Sequence, residues 1–235
     1  GVVGPLTSGC AWVAIPILNR APGGPVPLVS PSATVVGLTQ PFRSSNPDAL
    51  YPSGQRNFAR ILPTDDVHAA ASALAARRLG VRRVYALDAG NPDSAWFVDA
   101  FARAARRLGI SVVGRGSWDL GGIDCPPCTG ELSTAKAAAA AAQAGADGVF
   151  LGIEDYPTTV RLLSMLRARL GPDVQLMAPE SFGPATALLA GAAAEGMVAG
   201  VQATVLEVEA QLFHQLQAQS ALRFCWEGAH DVRCG

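Results

Sequence analysis

The residues best suited to chemistry in this chain are carboxylates and hydroxyls that follow short apolar runs. Residues 174–178 form one such run, of strand type, and it stops at Pro179-Glu180-Ser181. Residues 149–152 lead in the same way into Glu154-Asp155-Tyr156-Pro157, and residues 84–87 into Asp88-Ala89-Gly90. A carboxylate just past the carboxyl end of a buried strand lies where open α/β sheets place their ligand crevice. Burying that charge unpaired is costly, so a sheltered Glu180 calls for an ammonium group opposite it. The plainer alternatives are a helix cap or a solvent-facing acid.

Hydroxyls make the second group. Ser8 follows the strand-like Gly1-Val2-Val3-Gly4 and sits where a helix N-cap belongs. Ser32 and Thr34 fall in Ser30-Pro31-Ser32-Ala33-Thr34, at the end of a strand expected over 26–29. Free N–H groups at a helix start, joined by a hydroxyl, suit a carboxylate ligand, although ordinary capping uses the same residues. Donors from one half of the chain and a carboxylate from the other describe a receptor for a zwitterion. Tyr156 stands ready to lay its ring over such a ligand, or else to pack on the helix that Pro157 begins.

Other constellations are weaker. Glu154 and Asp155 are adjacent, and neighbouring loop acids point different ways, which speaks against a paired acid/base. Cys125-Pro126-Pro127-Cys128 has the spacing of a redox pair, but it lies in a loop instead of opening a helix after a strand. A local structural disulfide is the reading favoured for it, and Cys225 with Cys234 is a second local pairing of the same kind. Cys10 is then the odd cysteine, expected to be buried. Gly114-Arg115-Gly116 follows a strand, yet Ser117-Trp118-Asp119 breaks the dinucleotide pattern. No phosphate loop, nucleophile elbow or HExxH is present, and no catalytic residues, metal or cofactor are expected.

Composition sets the frame for these groups. The 235 residues are 49% hydrophobic and 16% charged, enough apolar material for one large domain or two lobes. A net charge of −1 and a single Lys, Lys136, argue against a nucleic-acid partner, which needs clustered cations. No apolar run reaches membrane-spanning length. No leader opens the chain, which starts as if in mid-strand, so a piece of a longer protein is expected.

The elements that must position the groups alternate. A helix is expected over 10–19, shortened or kinked by Pro16, and a strand over 58–62. Helices then fall at 66–79, 94–108, 133–144, 158–170 and 185–192, and strands at 81–87, 110–114, 148–151, 174–177 and 197–201. Phe97, Phe101, Ala104, Ala105 and Leu108 share one helical face. This alternation predicts an α/β fold with a doubly wound parallel sheet. Beyond residue 203 the pattern becomes a helix over 206–217 and an irregular Cys- and Trp-containing segment.

The ordered motifs resemble those of the type I periplasmic binding proteins, in particular the leucine/isoleucine/valine-type receptors of ABC importers. The resemblance rests on Pro5-Leu6-Thr7-Ser8, Leu28-Val29-Ser30-Pro31-Ser32-Ala33-Thr34 and Phe58-Ala59-Arg60-Ile61. Val81-Arg82-Arg83-Val84-Tyr85, Gly148-Val149-Phe150-Leu151-Gly152, Met177-Ala178-Pro179-Glu180 and Ala194-Glu195-Gly196-Met197 follow in the same order, so it covers about residues 1–201. It implies two doubly wound lobes closing on a ligand by hinge motion, the first lobe incomplete. Residues 1–64 would be the partial first lobe and 65–200 the second, with a helix and Cys-containing tail over 201–235 returning toward the first.

By the same resemblance Ser8, Ser32 and Thr34 hold the α-carboxylate and α-amino groups of an amino acid or similar small polar ligand. Glu180 answers its ammonium and Tyr156 lines its side chain. An ABC permease is the implied membrane partner and the setting is extracytoplasmic. The family's aromatic after the 84–87 strand is replaced here by Gly90-Asn91-Pro92-Asp93, which puts the specificity pocket in question. The rival readings are a sensor domain of a regulator or receptor and, further off, a redox protein using Cys125 and Cys128.

Overall fold

The computed structural model describes residues 1–42, 46–118, 130–152, 157–179, 182, 184–201, 223–228 and 231–234. The chain divides into two compact units, Gly1–Val67 and His68–Gly235.

In the smaller unit, β1 (Val2–Val3), β2 (Leu28–Ser30) and β3 (Phe58–Arg60) are parallel and lie in that order, with α1 (Ser8–Asn19) between the first two in sequence. Parallel pairing brings all three carboxyl ends to one edge. Strand alternation buries Leu28 and Ser30 and leaves Val29 outward. Ala11 and Ile15, one helical turn apart, pack with Leu28, Phe58, Leu38, Leu50 and Tyr51. Pro16 does not shorten α1, which continues to Asn19. The helix end is anchored instead: Asn19 Nδ2 donates to Gln55 O at 2.7 Å and Asn57 Oδ1 at 2.8 Å, while its Oδ1 accepts from Ser53 N at 2.8 Å. Three such bonds outweigh the one N–H that proline lacks.

The larger unit is built from α2 (Asp65–Arg78, which starts just inside the smaller unit), β4 (Arg83–Asp88), α3 (Pro92–Arg107), β5 (Ser111–Ser117), α4 (Gly130–Gln143), β6 (Gly148–Gly152), α5 (Pro157–Leu170), β7 (Gln175–Ala178), α6 (Pro184–Ala190) and β8 (Val198–Val201). Two further strands, β9 (Arg223–Gly228) and β10 (Asp231–Cys234), complete a seven-stranded sheet of order β10-β9-β8-β7-β6-β4-β5. All neighbours are parallel except β9 and β10. Alternate residues of β6 face opposite layers. Phe150 packs with Ala69, Ala73, Phe97 and Phe101 of α2 and α3, whereas Val149 and Leu151 pack with Ala137, Leu162 and Leu166 of α4 and α5. Covering both faces explains why the strands read as unbroken apolar runs. The Phe101 ring stacks on Phe150 with centroids 3.7 Å apart.

Small residues are set by this layering. A Cβ on Gly152 would run into Val98 Cγ2 of α3. Gly152→Ala is therefore expected to cost about 2 kcal/mol through overpacking, seen as a lower denaturation midpoint by circular dichroism. Gly114 and Gly116 have a similar explanation. They lie inside β5 under the Tyr85 ring, whose hydroxyl donates to Arg115 O at 3.0 Å. The Gly-Arg-Gly segment is a seat for a tyrosine.

Two expectations change. Part of the Cys- and Trp-containing segment, read as irregular, forms β9 and β10 of the larger sheet. Its aromatic and β-branched residues suit strands, and β8 offers a free parallel edge for them. Cys10, expected to be buried, is exposed on α1. The helix expected at 206–217 lies outside the described residues. Among those described, no helix is long and apolar enough to cross a membrane.

Candidate functional site

The carboxyl edge of the smaller sheet carries three loops, two of them tied together by hydroxyls. Ser30, wholly buried, donates from Oγ to Pro5 O at 2.7 Å and accepts from Ala33 N at 2.9 Å. Ser32 Oγ donates to Leu6 O at 2.5 Å. Ser8 Oγ accepts from Val35 N at 3.2 Å. The 5–8 and 30–35 loops thus hold each other. The third loop joins through the main chain, where Asp65 N donates to Thr34 O at 3.1 Å.

These bonds assign the remaining hydrogen-bonding capacity. Ser8 uses a lone pair on Val35, so its proton can be offered outward. Ser32 has spent its proton on Leu6, and its oxygen can still accept. Thr34 Oγ1, half-buried, makes no hydrogen bond among the described residues. The helix cap is Thr7, not Ser8: Thr7 Oγ1 accepts from Cys10 N at 3.3 Å, and Ser8 is the first helical residue. Spacing alone does not separate adjacent Thr and Ser as caps, because both types serve there.

Arg60 underlies this edge, and the sequence reading missed its role. It lies at the end of β3 and donates to Ala33 O at 3.0 Å, Val35 O at 2.9 Å and Thr39 Oγ1 at 2.8 Å. Its guanidinium carbon sits 5.5 Å from the Phe58 ring centroid. Burial pushes the guanidinium below the usual arginine range, and the Asp65 carboxylate partly offsets this. Only contacts across roughly twenty-five residues reveal the clamp, so no local motif announces it.

In the larger unit, β4 is flanked by β5 on one side and β6 on the other, so successive connections run in opposite directions. The carboxyl ends beside such a switch form the crevice of a doubly wound sheet. Register sets Asp88 level with Gly152 and with Ser117. Asp88 Oδ1 accepts from Gly90 N at 2.8 Å, and Ser94 Oγ accepts from Ala89 N at 3.0 Å. The loop after β4 is therefore self-contained. Tyr156 and Glu180, with Glu154, Asp155, Cys125 and Cys128, lie outside the described residues. Among the described residues, two buried polar atoms near this edge have no partner: Trp118 Nε1, just past β5, and Thr159 Oγ1, in the first turn of α5. Neither stood out in the sequence. Among the described residues, no three His, Cys, Asp or Glu side chains gather as a metal cage.

The sequence profile described as periplasmic binding protein matches residues 1–213. The chain belongs to the periplasmic binding protein family. Its architecture is the type I fold of that family, as comparison with solved structures shows. An ABC transporter substrate-binding protein from Desulfitobacterium hafniense in complex with Leu superposes with a TM-score of 0.63 at 21% identity, over 93% of this chain and 56% of the other. A solute-binding protein of an ABC transporter from R. palustris, in complex with 4-hydroxybenzoate, gives a TM-score of 0.57 at 19% identity, over 77% of this chain and 43% of the other. A second R. palustris solute-binding protein, in complex with benzoate, gives 0.61 at 18% identity, over 83% and 48%. The chain spans about half the length of these solved proteins. No curated protein sequence matches it.

Proposed function

We propose that this chain binds a small carboxylate-bearing solute, an amino acid or similar polar molecule, without turnover and for delivery to an ABC-type permease outside the cytoplasm. The observation that carries the reading is the division of labour at the smaller sheet's edge. Ser8 and Thr34 retain protons for a carboxylate, joined by the N–H groups at the start of α1. Ser32 retains an acceptor for an ammonium. Glu180 is the residue we assign to answer that ammonium and Tyr156 the one to line the ligand's side chain, on the family resemblance of their segments. Nothing in this set needs a cofactor.

An aromatic carboxylate is the second reading, since the donors at Ser8 and Thr34 address only the carboxylate. Thermal-shift and calorimetric titration of the full chain with the twenty amino acids, small amides, benzoate and 4-hydroxybenzoate separates the two. An amino-acid ligand at a hundred times its Kd stabilises by about 2.7 kcal/mol, a shift of several degrees. Glu180→Gln is expected to weaken an amino acid by about tenfold or more, as loss of a buried charge partner does, and to leave a benzoate untouched. A full panel without any shift would sink both versions.

A further inference from the structure

We propose that Cys225 and Cys234 form a cross-strand disulfide that pins β10, the outermost strand of the larger sheet, to β9. The two cysteines are register partners in the antiparallel β9–β10 pair. Gly228 pairs with Asp231, so only two residues separate the strands, and such hairpins close on a pair that exchanges both hydrogen bonds. Counting outward, 227 with 232 is a non-hydrogen-bonded pair, 226 with 233 a bonded one, and 225 with 234 non-bonded again. At non-bonded positions the Cα atoms stand about 4.5 Å apart and the Cβ atoms approach most closely, within the span a disulfide bridges. On the other flank of β9, the residue level with Cys225 is Gly200 of β8. No Cβ stands at that neighbouring position.

The hairpin also needs a register lock. Its connection, Gly228-Ala229-His230-Asp231, lacks the Asn-Gly or Asp-Gly pair that fixes two-residue turns. A slip of one residue would exchange the faces of every side chain in β10, and among the described residues β10 has no second neighbour to prevent it. A covalent link at the open end of the hairpin supplies that constraint. Forming it removes two electrons and two protons from the thiol pair. They pass to a disulfide oxidant, of protein or small-molecule type, which leaves as two thiols. An oxidising compartment follows from the extracytoplasmic reading above, but the pairing itself rests only on the register.

The test is peptide mapping of the full chain after incubation with oxidised glutathione and alkylation of remaining thiols. Trypsin cuts after Arg223 and Arg233, so the fragment starting at Cys234 stays attached to residues 224–233 until reductant is added. Both cysteines alkylated, or Cys225 joined to Cys10, Cys125 or Cys128, would overturn the proposal. Cys225→Ser and Cys234→Ser should each lower Tm by roughly 5 °C, and the double variant no further, because one bond is lost in all three. Additive losses count against the link. Ligand titration of the same samples keeps the issues apart, since a linked fragment without any ligand response removes the binding reading alone.

Discussion

Replacing Arg167 by alanine lowers the stability of the larger unit by roughly 3 kcal/mol, the upper part of the usual range, for removing a half-buried charged side chain with several hydrogen bonds. Arg167, near the end of α5, donates to Val174 O and Glu195 O at 2.7 Å each, to Pro172 O at 3.1 Å and to Ala193 O at 3.2 Å. A longer contact reaches Gly171 O at 3.4 Å. These carbonyls belong to the turn before β7 and the turn before β8. One guanidinium thus holds two connections, which Gln175 Nε2 also joins through Gly196 O at 2.8 Å. Burial pushes its pKa below the usual arginine range, with the Glu195 carboxylate opposing, and the bonds to carbonyls compensate for the lost water. Arg167→Ala leaves several oxygens half-buried without donors. A fall in Tm of about 10 °C should follow in a unit of this size. Arg167→Lys should recover little, since an ammonium cannot reach both turns at once. Equal Tm for wild type and Arg167→Ala would show that the turns hold without it.

Residues whose environment is local could be read from the sequence. The 94–108 helix appears as α3, Pro92–Arg107, because Phe97, Phe101 and Ala105 recur at helical spacing and are all buried. Strand β6 was legible because a run covered on both faces has no polar residue to confuse its period. Its ends were also close to right, since Gly148 and Gly152 punctuate them. The same logic failed at β9 and β10. The place of β9 is decided by a parallel neighbour, β8, over twenty residues away, and only β10, paired antiparallel with β9, lies at the edge of the sheet.

At the candidate site, the hydroxyls were visible as residue types but their roles were not. Ser8, Ser30 and Ser32 look alike in sequence. Only the partner of each proton separates a donor facing outward from one already spent on a carbonyl. Ser30, wholly buried, ties the strand ends and has nothing left for a ligand. The arginines were harder still. Arg60 and Arg167 act on backbone oxygens well along the chain, where no periodicity reaches.

Arg60→Ala should weaken ligand binding by about a hundredfold while the larger unit keeps its stability. Two effects combine. Losing three bonds to Ala33 O, Val35 O and Thr39 Oγ1, together with the contact on Phe58, costs the smaller unit roughly 2–4 kcal/mol. The 33–39 segment then no longer holds Thr34 and the Val35 N–H that orients Ser8. A displacement of about 1 Å in such groups is enough for a hundredfold loss. Arg60→Lys separates the two effects. It keeps the cation over Phe58 and one carbonyl contact, so most of the stability returns, but a single ammonium cannot reproduce the fork that spans two carbonyls and a hydroxyl. Binding should therefore stay at least about tenfold weaker in Arg60→Lys while its Tm approaches that of the unaltered protein. Calorimetric titration beside thermal denaturation reads both quantities on one sample. If affinity recovers in step with Tm, Arg60 is only a structural tie, and the positioning of Ser8 and Thr34 has to come from the serine network alone.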